Sequence, residues 1–301
     1  MIDFDYIIVS PVRNEAEYIQ RTIESVLAQT ILPKQWIIVN DGSTDATGRI
    51  IDEAAKRYSW IKAVHRQDRG IRVAGGGVME AFYAGLKLLG NEQWKYLVKL
   101  DGDVTFSADY FENCLAEFAH EPRLGIAGGV ICAAVDGALR PESKTDPVFH
   151  VRGANKIYRS ECWRDIGGLA PAVGWDTIDE LKANMLGWST RTFPDIKMLH
   201  HRPAGAAYGA WANWVKNGRA NYAAGYDFVF MVLKCVSRIF RKPYGVAALG
   251  LWVGFCSGYV NRIWRIDDPA LIRYVRTQQI HRLLGQPSLW SKSRKGDKLP
   301  K

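Results

Sequence analysis

The sequence predicts an α/β protein, a mostly parallel sheet with helices on both faces, followed by a separate helical region. Three observations carry that prediction. Short apolar runs alternate with helix-patterned segments through the first hundred residues, and strands that read as unbroken apolar stretches are those buried on both faces. Each of three such runs is followed at once by polar or acidic residues. Beyond His201 the chain turns aromatic, basic and apolar, which sets a boundary near residue 203 and divides it into 1–203 and 204–301.

Taken in order, Tyr6–Ser10 reads as the first strand and Glu15 to Gln29 as a helix. Gln35–Asn40 is a second strand and Ala46–Tyr58 a second helix. Ile61–His65 and Tyr96–Leu100 are further strands, with a helix from Val78 to Leu89 between them. Residues 134–148, with two prolines and mixed charge, read as a surface loop. A helix opens at Trp175 and runs to Leu186, and Arg191–Leu199 follows as another run. The Gly-rich stretch Arg72 to Gly77 has neither dinucleotide nor P-loop spacing and reads as a connector or as a loop closing over a ligand.

The bulk numbers fit a buried core: 48% of the 301 residues are hydrophobic. Five scattered cysteines with no CxxC pair point to a reduced, cytosolic protein rather than a disulfide framework or a zinc site. The N-terminus carries acids where a signal peptide carries bases, which again suits the cytoplasm. The net charge of +9 is uneven: residues 200–301 hold 17 Lys+Arg against 4 Asp+Glu, the rest of the chain 23 against 27.

Ligands of parallel sheets bind beyond the carboxyl ends of the strands. Those positions are Pro11-Val12-Arg13-Asn14-Glu15, Asp41-Gly42-Ser43-Thr44-Asp45 and Asp101-Gly102-Asp103. In extended backbone Asp101 and Asp103 point to one side, and hard carboxylate oxygens suit Mg2+ or Mn2+. Asp45 can cap the following helix while Asp41 accepts hydrogen bonds from a base or ribose.

In order and spacing these three segments resemble the nucleotide-sugar-binding half of glycosyltransferase family 2, whose fold is the GT-A type. The resemblance spans roughly residues 5–200, about two-thirds of the chain. It implies an inverting, metal-dependent transfer from a nucleotide diphosphate donor, by family habit a UDP-sugar. Pro11 and Glu15 would line the base pocket, with Arg13 and Ser43 beside the donor and Asp41 on the uracil or ribose. Asp101 and Asp103 would bind the sugar nucleotide and Mn2+ or Mg2+. Aligning Thr177 with the threonine of the family's Thr-Glu-Asp motif puts Asp179 at the catalytic base, although Ile178 stands where the glutamate belongs. Asp176 and Glu180 share that helix start, where the helix dipole alone favours acids. His200 or His201 would complete the metal sphere, and Arg202 would neutralise the leaving diphosphate.

The tail adds a membrane expectation. Phe228–Phe240 is apolar save for Lys234 and Arg238, and Tyr244–Val260 is uncharged, with Gly250, Gly254 and Gly258 spaced as in close-packed membrane helices. Basic residues flank both ends, so a peripheral or re-entrant arrangement on the cytoplasmic face of the inner membrane fits better than a spanning helix. No nucleic-acid module is present. The acceptor expected is a lipid-linked or polysaccharide glycan; the oligomeric state stays open. Rival readings are a polyprenyl-phosphate sugar synthase, a nucleotidyltransferase and a non-catalytic nucleotide-sugar-binding adaptor.

Overall fold

Strand β1 (Tyr6–Val12) is buried along its whole length, and the rest of the sheet is laid against it. The computed structural model describes residues 4–68, 70, 76–90, 93–143, 146–202, 209–240 and 244–291. Strands β2 (Gln35–Asp41), β3 (Ile61–Arg66) and β4 (Tyr96–Leu100) join β1 in parallel. The second half departs from the mostly parallel sheet that the sequence predicts. Strand β8 (Asn155–Arg159) runs antiparallel to β4 and to β6 (Leu124–Val135), while β9 (Ser189–His200) lies parallel to β6. Strand β5 (Val104–Phe106) closes the far edge against β9, giving the order β3-β2-β1-β4-β8-β6-β9-β5. Among the described residues the fold is a mixed α/β sheet of nine strands.

Residues 134–148 are not the plain loop expected of them. They hold the end of β6, a turn at Asp136-Gly137, and β7 (Ala138–Pro141), which pairs with β6 as an exposed edge. An exposed hairpin with a proline at its end shows none of the apolar alternation that marks a strand.

Alternation along the strands builds two cores. Tyr6, Ile8, Trp36, Ile38 and Val98 face helices α1 (Ile19–Leu27), α2 (Thr47–Arg57) and α4 (Tyr110–His120). Ile7, Val9, Ile37, Val39 and Leu97 face α3 (Gly76–Leu86), α5 (Ser160–Ile166) and α6 (Trp175–Met185). Helix α1 starts at Ile19, later than Glu15, because the Glu15 amide is held by Thr47 Oγ1 at 2.8 Å and the chain turns there first.

A third core joins Phe149, Ile178 and Leu181 to the C-terminal helices α7 (Gly209–Ala223), α8 (Phe228–Ile239), α9 (Val246–Val260) and α10 (Pro269–Leu283). The boundary near residue 203 falls outside the described residues, as do positions 71–75 of the Gly-rich stretch. The glycine row of α9 packs inside the protein: a Cβ at Gly254 would collide with the Val215 carbonyl, and one at Gly218 with that of Leu251, so α7 and α9 touch backbone to backbone. No described helix is long and apolar enough to cross a membrane.

Candidate active site

Parallel pairing of β1, β2 and β4 brings the three polar segments to one rim. On its left side Arg13 donates to the Asp41 carbonyl and to Asp68 Oδ1, both at 2.6 Å. The Asp41 carboxylate accepts from Arg66 Nη1 at 2.7 Å. Asn14, at φ 53°, receives the Thr44 amide on its side-chain oxygen and gives its own amide to Ser43 Oγ at 2.9 Å. Asp45 caps α2 through the Thr47 amide, 3.0 Å. Arg13, Asp41 and Ser43 are therefore neighbours, and Pro11 is buried in β1 one residue before its end.

The right side is built around Asp103. It is buried, and its Oδ2 accepts from Arg202 Nε at 3.1 Å, while Arg202 Nη2 also reaches Glu15 Oε1 at 2.9 Å. His200 Nε2 lies 3.5 Å from Asp103 Oδ1, and its Nδ1 donates to Glu142 Oε1 at 2.9 Å. Burial opposes charge on both groups, yet the pairing outweighs it. It holds the Asp103 carboxyl below its usual range and pushes His200 up to about 10. Gly102 has no room for a side chain, because a Cβ there would run into the Glu15 carboxylate and Val12. Thr22 Oγ1 braces this bend by donating to the Gly102 and Val104 carbonyls.

The chain bends at 101–103 instead of running extended, so the two aspartates take separate partners. Asp101, partly exposed, pairs with Lys99. Asp101 and Asp103 still offer the hard oxygens that Mn2+ or Mg2+ takes, and a guanidinium on Asp103 supplies the kind of charge a cation would. Among the described residues, no three acidic, histidine or cysteine side chains converge on a cation position. His200 is charged and has a carboxylate at each nitrogen. Burial and Arg21 lower His201 below the ordinary imidazole range; neutral imidazole is the ligating form, but its ring stacks on Tyr18 and its Nε2 lies 3.1 Å from Thr105 Oγ1.

Asp179, the expected base, is not on the rim. It lies on the inner side of α6, fully buried, with both oxygens 2.9 Å from Lys156 Nζ, one of them also accepting from Tyr158 OH at 2.6 Å. Burial foremost, with Glu180 beside it, pushes its carboxyl up to about 6 against the pull of Lys156. The same helix leaves Asp176 and Thr177 half-buried at its first turn. Asp176 Cβ stands 3.5 Å from where a Cβ on Gly153 would be, and the Gly153 carbonyl accepts from Lys99, the partner of Asp101. Arg66, Lys99 and Lys156 carry no motif. Their signal is a lone cation in or beside an apolar strand, which needs a buried carboxylate nearby.

A mixed sheet with an acidic rim beyond its parallel strands is the GT-A arrangement of glycosyltransferases. Residues 7–171 match the family model for glycosyl transferase family 2, and the chain belongs to that family. It is 33% identical over 121 residues to an uncharacterized glycosyltransferase, EpsJ, of Bacillus subtilis, covering 40% of this chain and 32% of that protein. With poly-beta-1,6-N-acetyl-D-glucosamine synthase of Staphylococcus epidermidis it is 24% identical over 232 residues, 68% of this chain and 52% of the synthase. The matched part of the chain thus spans 32% and 52% of the length of these two relatives. Among solved structures it resembles the mannosyltransferase PcManGT of Pyrobaculum calidifontis in complex with GDP-Man and Mn2+, TM-score 0.55 at 18% identity, covering 92% of this chain and 80% of that one. It also resembles residues 1–349 of S. aureus TarS in complex with UDP-GlcNAc, TM-score 0.51 at 16% identity, covering 92% and 81%.

Proposed function

We propose that the chain is an inverting glycosyltransferase moving a sugar from a nucleotide diphosphate donor, a UDP-sugar first, to a hydroxyl of a lipid-linked or polysaccharide acceptor in envelope or exopolysaccharide synthesis. One observation carries this reading: a cluster of Asp41, Arg13 and Arg66 sits on the same rim as Asp101, Asp103 and Arg202. The first group matches the donors and acceptors on a base or ribose edge. The second suits a diphosphate. The glycan-building names of the relatives, and the UDP-GlcNAc and GDP-Man held by the structural neighbours, support that class of donor.

Asp101 and Asp103 would hold Mn2+ or Mg2+, whose charge offsets the one developing on the departing diphosphate. Arg202, shared between Glu15 and Asp103, supplies a second positive charge next to that group. For the base, the geometry favours Asp176 over Asp179. Asp176 is reachable at the start of α6, whereas Asp179 has no free face and serves as part of the support beneath it.

The outer faces of the C-terminal helices support a peripheral position on the cytoplasmic face of the inner membrane. Val229, Leu233, Val236 and Phe240 stand exposed on one side of α8, and Leu249, Val253 and Val260 on α9. Phe228 packs on Trp252 at 5.4 Å and so joins the two rows. Exposed Lys216 and Arg219 lie on α7, Arg219 reaching Ser257 Oγ of α9 at 3.3 Å, and exposed Arg262 lies just past α9. Apolar rows edged with cations fit an anionic lipid surface, where a lipid-linked acceptor is found.

The test is to incubate the protein with UDP- and GDP-sugars and total lipid extract, and to score nucleoside diphosphate release with EDTA, then with Mn2+ or Mg2+ restored. Release from one donor, lipid-dependent and lost in EDTA, is expected. Silence with every donor sinks the transfer, and full release in EDTA sinks the metal.

A further inference from the structure

Two buried lysines stand behind the rim. Lys99 on β4 and Lys156 on β8 are direct partners across the antiparallel pair, so they rise from the same face of the sheet. Like charges placed opposite each other repel, and each lysine here has its own counter-charge. Lys99 pairs with Asp101 and donates to the Gly153 carbonyl at 2.7 Å. Lys156 Nζ touches both Asp179 oxygens at 2.9 Å and Glu180 Oε1 at 2.7 Å, and it donates to the Asp176 carbonyl at 2.5 Å.

Both ammonium groups lie over one indole. Trp175, the first residue of α6, has its ring centre 5.5 Å from Lys99 Nζ and 5.6 Å from Lys156 Nζ. The ring rests on Gly153, within 2.8 Å of where a Cβ would stand. An unbroken run of contacts therefore leads from Asp101 through Lys99, Trp175 and Lys156 to the first two turns of α6.

Docking a helix does not require charge. Buried ion pairs add little net stability over packed apolar side chains of equal volume, yet breaking one strands a charge. What the charges add is position. Among the described residues every oxygen paired with Lys156 Nζ belongs to the stretch Asp176 to Glu180, so a slide or rotation of α6 would pull a buried cation from these partners. We propose that Lys99 and Lys156 are positioning residues that, with Trp175 as spacer, fix Asp176 relative to Asp101, the acceptor side relative to the donor side. This rests on the role of Asp176 as the base.

The test reads turnover as nucleoside diphosphate released from the sugar nucleotide that the intact chain uses, and affinity as calorimetric binding of UDP or GDP with Mn2+. Lys156→Met lowers turnover roughly 10–100-fold, the usual cost of a displaced catalytic group, while nucleotide affinity stays within about twofold. Lys156→Arg restores part of the loss. If Lys156 acts through Asp176, the double variant Lys156→Met/Asp176→Asn is no slower than Asp176→Asn alone. Full turnover in Lys156→Met, or losses that multiply in the double variant, overturns the proposal while leaving Asp176 as the base. Full turnover in Asp176→Asn instead removes the base and this proposal with it. Should Lys156→Met not fold, Trp175→Leu decides: reduced turnover with nucleotide binding intact is expected, and wild-type turnover overturns the inference.

Discussion

The sheet rim and the outer faces of α8 and α9 differ in what they leave unsatisfied. At the rim, Arg13, Arg66, Arg202 and His200 each hold a carboxylate, and the chain spends a large share of its side-chain ion pairs within a few residues of three strand ends. On α8 and α9 the polar groups are few and apolar side chains face water instead, Phe240 and Val260 each 81% exposed. On the first surface the charges are already matched by internal partners. The second leaves several large apolar side chains of two neighbouring helices facing water. On the proposed function the first surface meets an aqueous nucleotide and the second a lipid headgroup layer, and that contrast can be broken at either end.

The largest effect is expected at Asp103. Asp103→Ala takes one of two carboxylate partners from both Arg202 and His200 and removes a carboxylate from the donor side, so turnover should fall by several orders of magnitude. Nucleotide release measured with and without Mn2+ checks it; a variant that retains half its activity would remove Asp103 from the site. Next comes the pair on α6. Asp176→Asn should lower turnover on the order of 10²–10⁴-fold with nucleotide binding kept, the worth of a positioned base. Asp179→Asn should act on the fold instead: it leaves Lys156 short of its main partner, so a lowered melting temperature accompanies whatever activity is lost. If Asp179→Asn melts like wild type and Asp176→Asn turns over normally, the phosphate-acceptor synthase, which needs no base, becomes the better reading.

The same contrast explains what was legible in the sequence. Parallel strands buried on both faces announce themselves as YIIVS, QWIIVN and YLVKL, and their polar ends fall on one rim by topology alone. The antiparallel half was not legible, because β6 with its Gly128-Gly129 pair and the exposed β7 lack a clear period. Asp176 and Asp179 are three residues apart on a helix and differ by only about 60° in direction, so spacing could not say which faces the ligand. What separates them is Lys156 on β8, which holds Asp179 inward, while Asp176 stays half-buried. The glycine row of α9 was legible as close packing but not as to its partner, which is α7 rather than a second membrane helix.

At the other end of the comparison, vesicles test the apolar surface. The full chain should sediment with phosphatidylglycerol vesicles, less so as salt rises, and weakly with phosphatidylcholine. Replacing Val236 and Phe240 by aspartate should cut binding about tenfold, with nucleotide affinity untouched because neither residue is near the rim. Equal sedimentation of variant and wild type would break the comparison. A wild-type chain that ignores vesicles but dimerises through this face would reassign the surface to a second copy.

The smallest effect concerns the seam between the two regions, beneath α6. His150 Nδ1 lies 2.9 Å from Glu180 Oε2, and Glu180 Oε1 accepts from the Val151 amide and pairs with Lys156. Burial alone would pull the His150 imidazole down, but the Glu180 carboxylate outweighs it and pushes the group up to about 9. A histidine whose folded value is raised adds stability that is complete below its unfolded value of about 6.5 and fades as pH rises through the folded one. The window is therefore between about pH 6.5 and 9. Melting curves at pH 6 and pH 9.5 should show wild type losing a few degrees more than His150→Asn, which has no proton to give up there. His150 keeps some contact with solvent, 19% of its side chain, and screening limits the effect to that scale. Parallel pH slopes in the two proteins would mean that folding leaves His150 unshifted and that it forms no ion pair with Glu180. Lys156 would then be the one buried cation holding Glu180, and α6 would sit on a single lysine.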